Sequence, residues 1–265
     1  MIACLPILLA ACSTIGAQRT SLLNGIRREV SDVPAFATNA SFSRTLDALG
    51  AVPREAFVPH KLRPQAYGER PQDIGYGQTI SDPYIVTIMT AAAELRPEDR
   101  VLEVGTGSGY QAAVLSRLAR AVYSIEIVAP LAKLAASRLK RLGYRNVQVR
   151  AGDGFGGWPD AAPFDAILVT AGAAEPPAAL LAQLAPGGRM IMPVGPSTVQ
   201  ERLIVFRKAA DGAISRCALG GAMFVPLTGQ GARAHRAGGV QERGLVYCYG
   251  GDLGRWDVEV VPAKP

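Results

Sequence analysis

The run Val101-Leu-Glu-Val-Gly-Thr-Gly-Ser-Gly-Tyr110 constrains this chain more than any other stretch. A short aliphatic run breaks into three alternating glycines, and apolar periodicity then continues from Gln111 to Leu118. That order reads as strand, tight turn, helix. Glycine suits such a turn because a side chain would hold the backbone away from whatever lies against it, and because positive φ is often required. Downstream, strand-like runs at 121–125, 147–150, 166–170 and 189–193 alternate with helical patterns at 111–118, 130–142 and 177–184. Alternation of this kind predicts a parallel sheet with helices on both faces, joined by right-handed crossovers. Two further runs, 202–208 and 217–226, have no helix between them and are expected to pair antiparallel at one edge. The fold class expected is α/β: a Rossmann-like doubly wound sheet, mostly parallel with an antiparallel edge, preceded by N-terminal helices.

Ligands of such sheets bind at the carboxyl ends of the strands, beside the switch point. The spacing Gly105-x-Gly107-x-Gly109 is not the G-x-G-x-x-G of dinucleotide sites. Glu103, near the end of the first strand, is expected to repel a pyrophosphate and to attract a cationic sulfonium. The turn formed by Gly105, Thr106, Gly107, Ser108 and Gly109 therefore favours S-adenosylmethionine over NAD. Glu126 closes the second strand about 20 residues past the glycines, where a carboxylate can accept ribose hydroxyls. Asp153 closes the third and is placed to take an adenine amino proton, with Gly154 leaving room for the base. At the end of the fourth strand, Thr170 is expected to line the cleft mouth. Pro186-Gly187-Gly188 reads as a tight turn into the fifth strand.

The 265 residues suffice for one core with an extension, and the domain is drawn at 21–229, with 230–265 as a C-terminal extension. Residues 1–20 form a leader or tail. Met1 to Ala11 is almost wholly apolar and ends in Leu9-Ala10-Ala11-Cys12, like a lipoprotein signal, but it has no basic n-region and is too short to span a bilayer. Leu22, Ile26 and Val30, then Phe42, Leu46 and Leu49, suggest a pair of helices interrupted near Pro34. A further helix is expected at 83–93, with Pro83 at its first position and Ser81 or Asp82 as N-cap. The net charge of +6 is scattered, so no nucleic-acid partner is expected. The four cysteines lack the paired spacing of a zinc site, and Cys217 and Cys248 are expected as buried free thiols, a disulfide requiring an oxidising compartment.

Over residues 43–229 the chain resembles the protein-L-isoaspartate O-methyltransferases. The likeness rests on Val52-Pro-Arg-Glu-Ala-Phe-Val-Pro59, Gly75-Tyr-Gly-Gln-Thr-Ile-Ser-Asp-Pro-Tyr84, the glycine turn, Gly152-Asp-Gly154, Pro163-Phe-Asp-Ala-Ile-Leu-Val-Thr170, Pro193-Val-Gly195 and Phe224-Val-Pro-Leu227. The resemblance implies methylation of the α-carboxyl of L-isoaspartyl residues in damaged proteins. It also implies an active-site role for Ser81 and substrate contacts from Gln78, Thr79, Ile80 and Phe224. Two positions depart from the family pattern: Asp82, commonly Gln, and Met223, often Arg. An ionised carboxylate is already nucleophilic at neutral pH, so no strong base is needed. Ser81 is thus expected to orient the acceptor rather than attack. Two other readings stand beside this one: a different S-adenosylmethionine-dependent methyltransferase, or a non-catalytic binding protein retaining the fold. The chain is expected to act as a monomer in the cytoplasm on isoaspartyl-containing proteins, with no stable membrane contact. The alternative is a periplasmic form anchored by lipid at Cys12.

Overall fold

The computed structural model describes residues 5–31, 39–230 and 248. Helix α1 (Leu5–Ser31) runs unbroken across residue 20, where the sequence suggests a leader ends. Its Leu22, Ile26 and Val30 recur at helical spacing and are buried. Arg19 joins the packing too, donating from Nε to the Tyr67 hydroxyl at 2.9 Å and from Nη1 to the Gly50 carbonyl at 3.1 Å. Helix α2 (Ala40–Ala51) opens on Asn39, whose side chain accepts the Ser41 N–H. Among the described residues no helix is long and apolar enough to cross a membrane.

Residues 72–80, which show no periodicity, form a hairpin: β1 (Gln72–Gly75) pairs antiparallel with β2 (Gln78–Ile80). Helix α3 (Pro83–Ala92) follows, capped by Asp82 and not by Ser81. The Asp82 carboxylate accepts the Tyr84 N–H at 2.8 Å, and Pro83 occupies the first turn, where its missing N–H costs nothing.

The main sheet then alternates as expected: β3 (Arg100–Val104), α4 (Tyr110–Ser116), β4 (Ala121–Glu126), α5 (Ala129–Arg141), β5 (Val147–Ala151), β6 (Phe164–Val169), α6 (Ala178–Ala182) and β7 (Leu184–Val194). The last two strands are β8 (Glu201–Lys208) and β9 (Ile214–Ala222). Spatial order is β5-β4-β3-β6-β7-β8-β9. The pairs from β5 through β7 are parallel, while β7 with β8 and β8 with β9 are antiparallel. This is the doubly wound sheet with an antiparallel edge that the sequence predicts. The chain leaves β3 toward β4 and returns to its other side at β6, so the switch point lies at the end of β3.

Each face of the sheet carries its own core. Val101 packs with α1 to α5 on one face, and Leu102 and Val104 with Phe164, Leu180 and Met192 on the other. Pro186-Gly187-Gly188 is not a turn ahead of the strand. Strand β7 begins at Leu184, and the three residues lie within it, where the register jumps from Phe164 opposite Leu184 to Ala166 opposite Arg189.

Cys217 on β9 and Cys248 are joined by a disulfide with Cα atoms 5.3 Å apart, in place of the free thiols expected. The Cys248 N–H also donates to the Ala218 carbonyl at 3.0 Å. Residues 231–265 of the expected C-terminal extension lie outside the described residues, Cys248 apart.

Because Ile26 is fully buried against this core, Ile26→Ala is expected to cost about 2–5 kcal/mol. Urea unfolding followed by circular dichroism measures it, and an unchanged midpoint would mean that α1 lies outside the cooperative domain.

Candidate active site

The ends of β3, β4 and β6 meet the hairpin and the segment after β9 around an open cleft. Gly105, Thr106, Gly107 and Ser108 form one wall, and Glu126, Gly154 and Thr170 continue it. Gln78, Thr79, Ile80, Ser81 and Asp82 form the opposite wall, closed by Met223 and Phe224.

The glycine turn is rigid because the amides of Gly105, Thr106, Gly107 and Gly109 are already spent. Ile125 accepts the N–H of Gly105 at 2.8 Å and of Thr106 at 3.2 Å, and the Gly109 N–H turns back to the Thr106 carbonyl at 2.8 Å. Glu126 takes the Gly107 N–H on Oε2 at 2.7 Å and the Val128 N–H on Oε1 at 2.9 Å. A carboxylate has about four lone-pair sites, so two remain for ribose hydroxyls. Gly105 has φ +101, and a Cβ there would strike the Thr170 hydroxyl, which itself donates to the carbonyls of Val104 and Gly105. Glycine is therefore required at 105 by both conformation and space.

Three residues expected at the site stand elsewhere. Glu103 shares a sheet face with Val101, because strand side chains alternate, and it is fully buried beneath α4 instead of facing the cleft. Its Oε2 accepts the Ser124 hydroxyl at 2.5 Å, and Ser124 in turn meets the Thr106 hydroxyl at 2.5 Å. Burial pushes the Glu103 carboxyl up to about 8, the Ser124 hydrogen bond opposing the rise and the Glu126 charge adding to it. Glu103 is thus uncharged at neutral pH and cannot attract a sulfonium; it braces the turn from below. Gly109 lies outside the cleft with its Cα against Leu139 and Ala135, so its work is to admit α5. Asp153 also lies outside the lining: its Oδ1 accepts the Phe155 N–H at 2.9 Å and its Oδ2 the Gln230 N–H at 2.7 Å. Gly154 does line the cleft, but a Cβ there would strike Val104, so packing rather than room for a base explains it.

Sequence reasoning missed the buried Glu201, whose Oε2 accepts the Phe224 N–H at 2.9 Å and so fixes the end wall. It also missed Arg54, which is fully buried and donates from Nη2 to the Ser81 carbonyl at 2.8 Å. For Arg54 the available signal was a charged pair, Arg54-Glu55, set within the otherwise apolar run Val52-Pro-Arg-Glu-Ala-Phe-Val-Pro59; Glu201 left none.

The cleft selects its ligand by charge. Its walls carry the carboxylates of Glu126 and Asp82, and among the described lining residues there is no Lys, Arg or His. A diphosphate would meet acids and spent amides, whereas a cationic adenosine-bearing donor would not. Glycine turn, Glu126 at its rim, acidic walls and this strand order together define a class I S-adenosylmethionine-dependent methyltransferase.

Comparison with known proteins narrows the class. Residues 38–232 match the protein-L-isoaspartate(D-aspartate) O-methyltransferase family. Protein-L-isoaspartate O-methyltransferase 2 of Polaromonas sp. strain JS666 is 54% identical over 187 residues, covering 71% of this chain and 89% of that one. Protein-L-isoaspartate O-methyltransferase 1 of Cupriavidus necator is 48% identical over 226 residues, covering 83% and 86%. A solved protein-L-isoaspartate O-methyltransferase superposes with a TM-score of 0.67 at 29% identity, covering 80% of this chain and 66% of that one. The chain belongs to this family and is an S-adenosylmethionine-dependent protein carboxyl methyltransferase.

The buried carboxyl generates a pH prediction. Folded Glu103 holds its proton up to about 8, whereas the unfolded carboxyl loses it near 4.5. The folded state then binds the extra proton, so stability falls as pH rises between those values and levels off above them. Glu103→Gln is expected to flatten this slope, raising the melting temperature relative to the parent more at pH 8 than at pH 5. Parallel melting curves for the two proteins would show the idea wrong.

Proposed function

We propose that this chain methylates the α-carboxyl of L-isoaspartyl residues in damaged proteins. The observation that carries the reading is the wall Gln78-Thr-Ile-Ser81, brought by the hairpin across the cleft from the glycine turn. Ser81 is released for this work because Asp82 caps α3 in its stead, and among the described residues the Ser81 hydroxyl has no hydrogen-bond partner. It is therefore free to donate to an acceptor carboxylate, with Thr79 and the backbone at Ile80 beside it and Phe224 at the end wall. S-adenosylmethionine, when bound, supplies an electrophilic methyl on a positively charged sulfur. The turn 105–108, Glu126, Gly154 and Thr170 are the residues that would hold it.

An ionised acceptor needs only to be positioned and dried. No described histidine lines the cleft, which agrees with chemistry that calls for no base at neutral pH. Asp82 sets a second acid beside an anionic substrate, with the buried Arg54 guanidinium behind the same wall. Burial raises its pKa, and the Tyr84 N–H and the Arg54 charge offset only part of that rise. We take the enzyme to act as a monomer on isoaspartyl-containing proteins, without nucleic acid.

For compartment, the disulfide between Cys217 and Cys248 favours an oxidising space over the cytoplasm. It supports the periplasmic reading, with lipid on Cys12, although the methyl donor is made in the cytosol. Mass spectrometry of the mature amino terminus decides: a lipid-bearing Cys12 is expected, and an unmodified Met1 would restore the cytoplasmic reading.

Radiolabelled methyl is expected to pass to an isoaspartyl peptide and not to its aspartyl twin; transfer to neither, despite tight cofactor binding, would leave a binding protein. Ser81→Ala removes one hydrogen bond to a charged group, so kcat/KM should fall about 10- to 100-fold with affinity for S-adenosylhomocysteine retained. Glu126→Ala should instead weaken that affinity about 10- to 100-fold. Isothermal calorimetry separates the two, and equal loss of cofactor binding in both would contradict the roles.

A further inference from the structure

Behind the acceptor wall lies a cation that the reaction as described does not use. Arg54 opens a 3-10 turn (Arg54–Ala56) and is fully buried. Its Nε donates to the Ala66 carbonyl at 2.8 Å, its Nη2 to the Ser81 carbonyl at 2.8 Å, and its Cζ lies 4.8 Å from the centre of the Tyr110 ring. Among the described residues its buried Nη1 has no hydrogen-bond partner. The ion pairs among the described residues, Arg19 with Glu55 and Arg189 with Glu94, do not include it.

Burying a guanidinium without a contacting carboxylate costs several kcal/mol, and an apolar side chain would fill the space more cheaply. The cost is visible in the molecule, since desolvation lowers the Arg54 pKa while Tyr110 and Asp82 oppose the fall. Stability alone therefore does not explain a cation there. What lies within reach of its field is the acceptor wall: Ser81 by direct contact, Asp82 next in the chain, and the space where an isoaspartyl carboxylate would sit.

We propose that Arg54 is a positioning residue for methyl transfer, fixing the Ser81 backbone from beneath and lending the acceptor site a positive charge that offsets Asp82. The proposal rests on the acceptor role of Ser81 given above. The charge acts through a protein layer rather than through water, so it is weakly screened. Because the guanidinium touches a carbonyl and not the cleft, it holds the wall without pairing with the nucleophile.

The test uses the full-length enzyme with an isoaspartyl peptide, once the unaltered protein is seen to methylate it. Failure of that first step concerns the proposed function, not Arg54. Arg54→Met is expected to raise the peptide KM about tenfold or more, as loss of one charge near an anion allows, with affinity for S-adenosylhomocysteine within about twofold. Adding Asp82→Asn to Arg54→Met should recover about threefold or more of that KM, because it removes the charge Arg54 offsets. Arg54→Lys keeps the charge but loses the two-pronged grip, so KM should stay near the parent value while kcat falls about fivefold or more. A parent-like KM in folded Arg54→Met, a parallel loss of cofactor affinity, or no recovery on adding Asp82→Asn would each overturn the proposal. Should Arg54→Met not fold, Arg54→Lys decides, and a parent-like kcat in that variant overturns it.

Discussion

The grip of β4 on the turn after β3 is the constraint from which the site follows. The single carbonyl of Ile125 accepts two turn amides, and Glu126, the next residue, accepts a third. A turn anchored in this way has little freedom to reshape around a ligand and few donors left for one. The same glycine geometry that builds a phosphate cradle in other doubly wound sheets here yields a smooth, satisfied surface with an acid at its rim. Specificity for a cationic donor comes from that expenditure as much as from any attractive group.

Support for the turn comes from underneath, through the hydroxyls of Thr106 and Ser124 to the carboxyl of Glu103. A chain of hydroxyls ending on a buried carboxyl is stable when the carboxyl keeps its proton, because an isolated charge at that depth would have no counter-ion. Burial thus converts what looks in the sequence like an electrostatic ligand into a neutral brace. The ligand-facing charge is carried by Glu126, which stands at the strand end where the sheet opens.

The parallel strands were legible because burial on both faces produces continuous aliphatic runs, and β3, β4 and β6 show them plainly. The alternation of side chains along any strand also tells where Glu103 points, since it shares a face with Val101; its nearness to the glycines obscured this. The hairpin was illegible for a physical reason. Its strands lie at the surface, Gln72 and Ile80 are their buried members, and Gly75 and Gly77 interrupt any alternation. Asp153 lies two residues past the end of β5, capping a 3-10 turn (Gly154–Gly156), and the Gln230 backbone that occupies its second oxygen comes from 77 residues further along the chain. Contacts of that range leave no local trace. The lone arginine in residues 52–59 was visible, yet its meaning lay in the Ser81 carbonyl 27 residues away.

Two guanidiniums stand behind the walls of this cleft and neither enters it. Arg54 reaches the carbonyl of Ser81 on the acceptor side, and Arg138 reaches the carbonyl of Ser108 at 2.6 Å on the donor side. Desolvation lowers the pKa of both. A cation placed in the cleft would pair with the acceptor carboxylate in the ground state and withdraw the electron density that must attack the methyl group. Binding gained in that way is lost again at the transition state, where the carboxylate charge is being neutralised. Set one peptide unit back, the same charge attracts the anion into the cleft and stiffens the wall that orients it, while the lone pairs of the nucleophile stay unengaged. Methyl transfer between a cationic donor and an anionic acceptor destroys charge as it proceeds, so a site whose cations stand one peptide unit back from the acceptor favours the reaction over the bound ion pair.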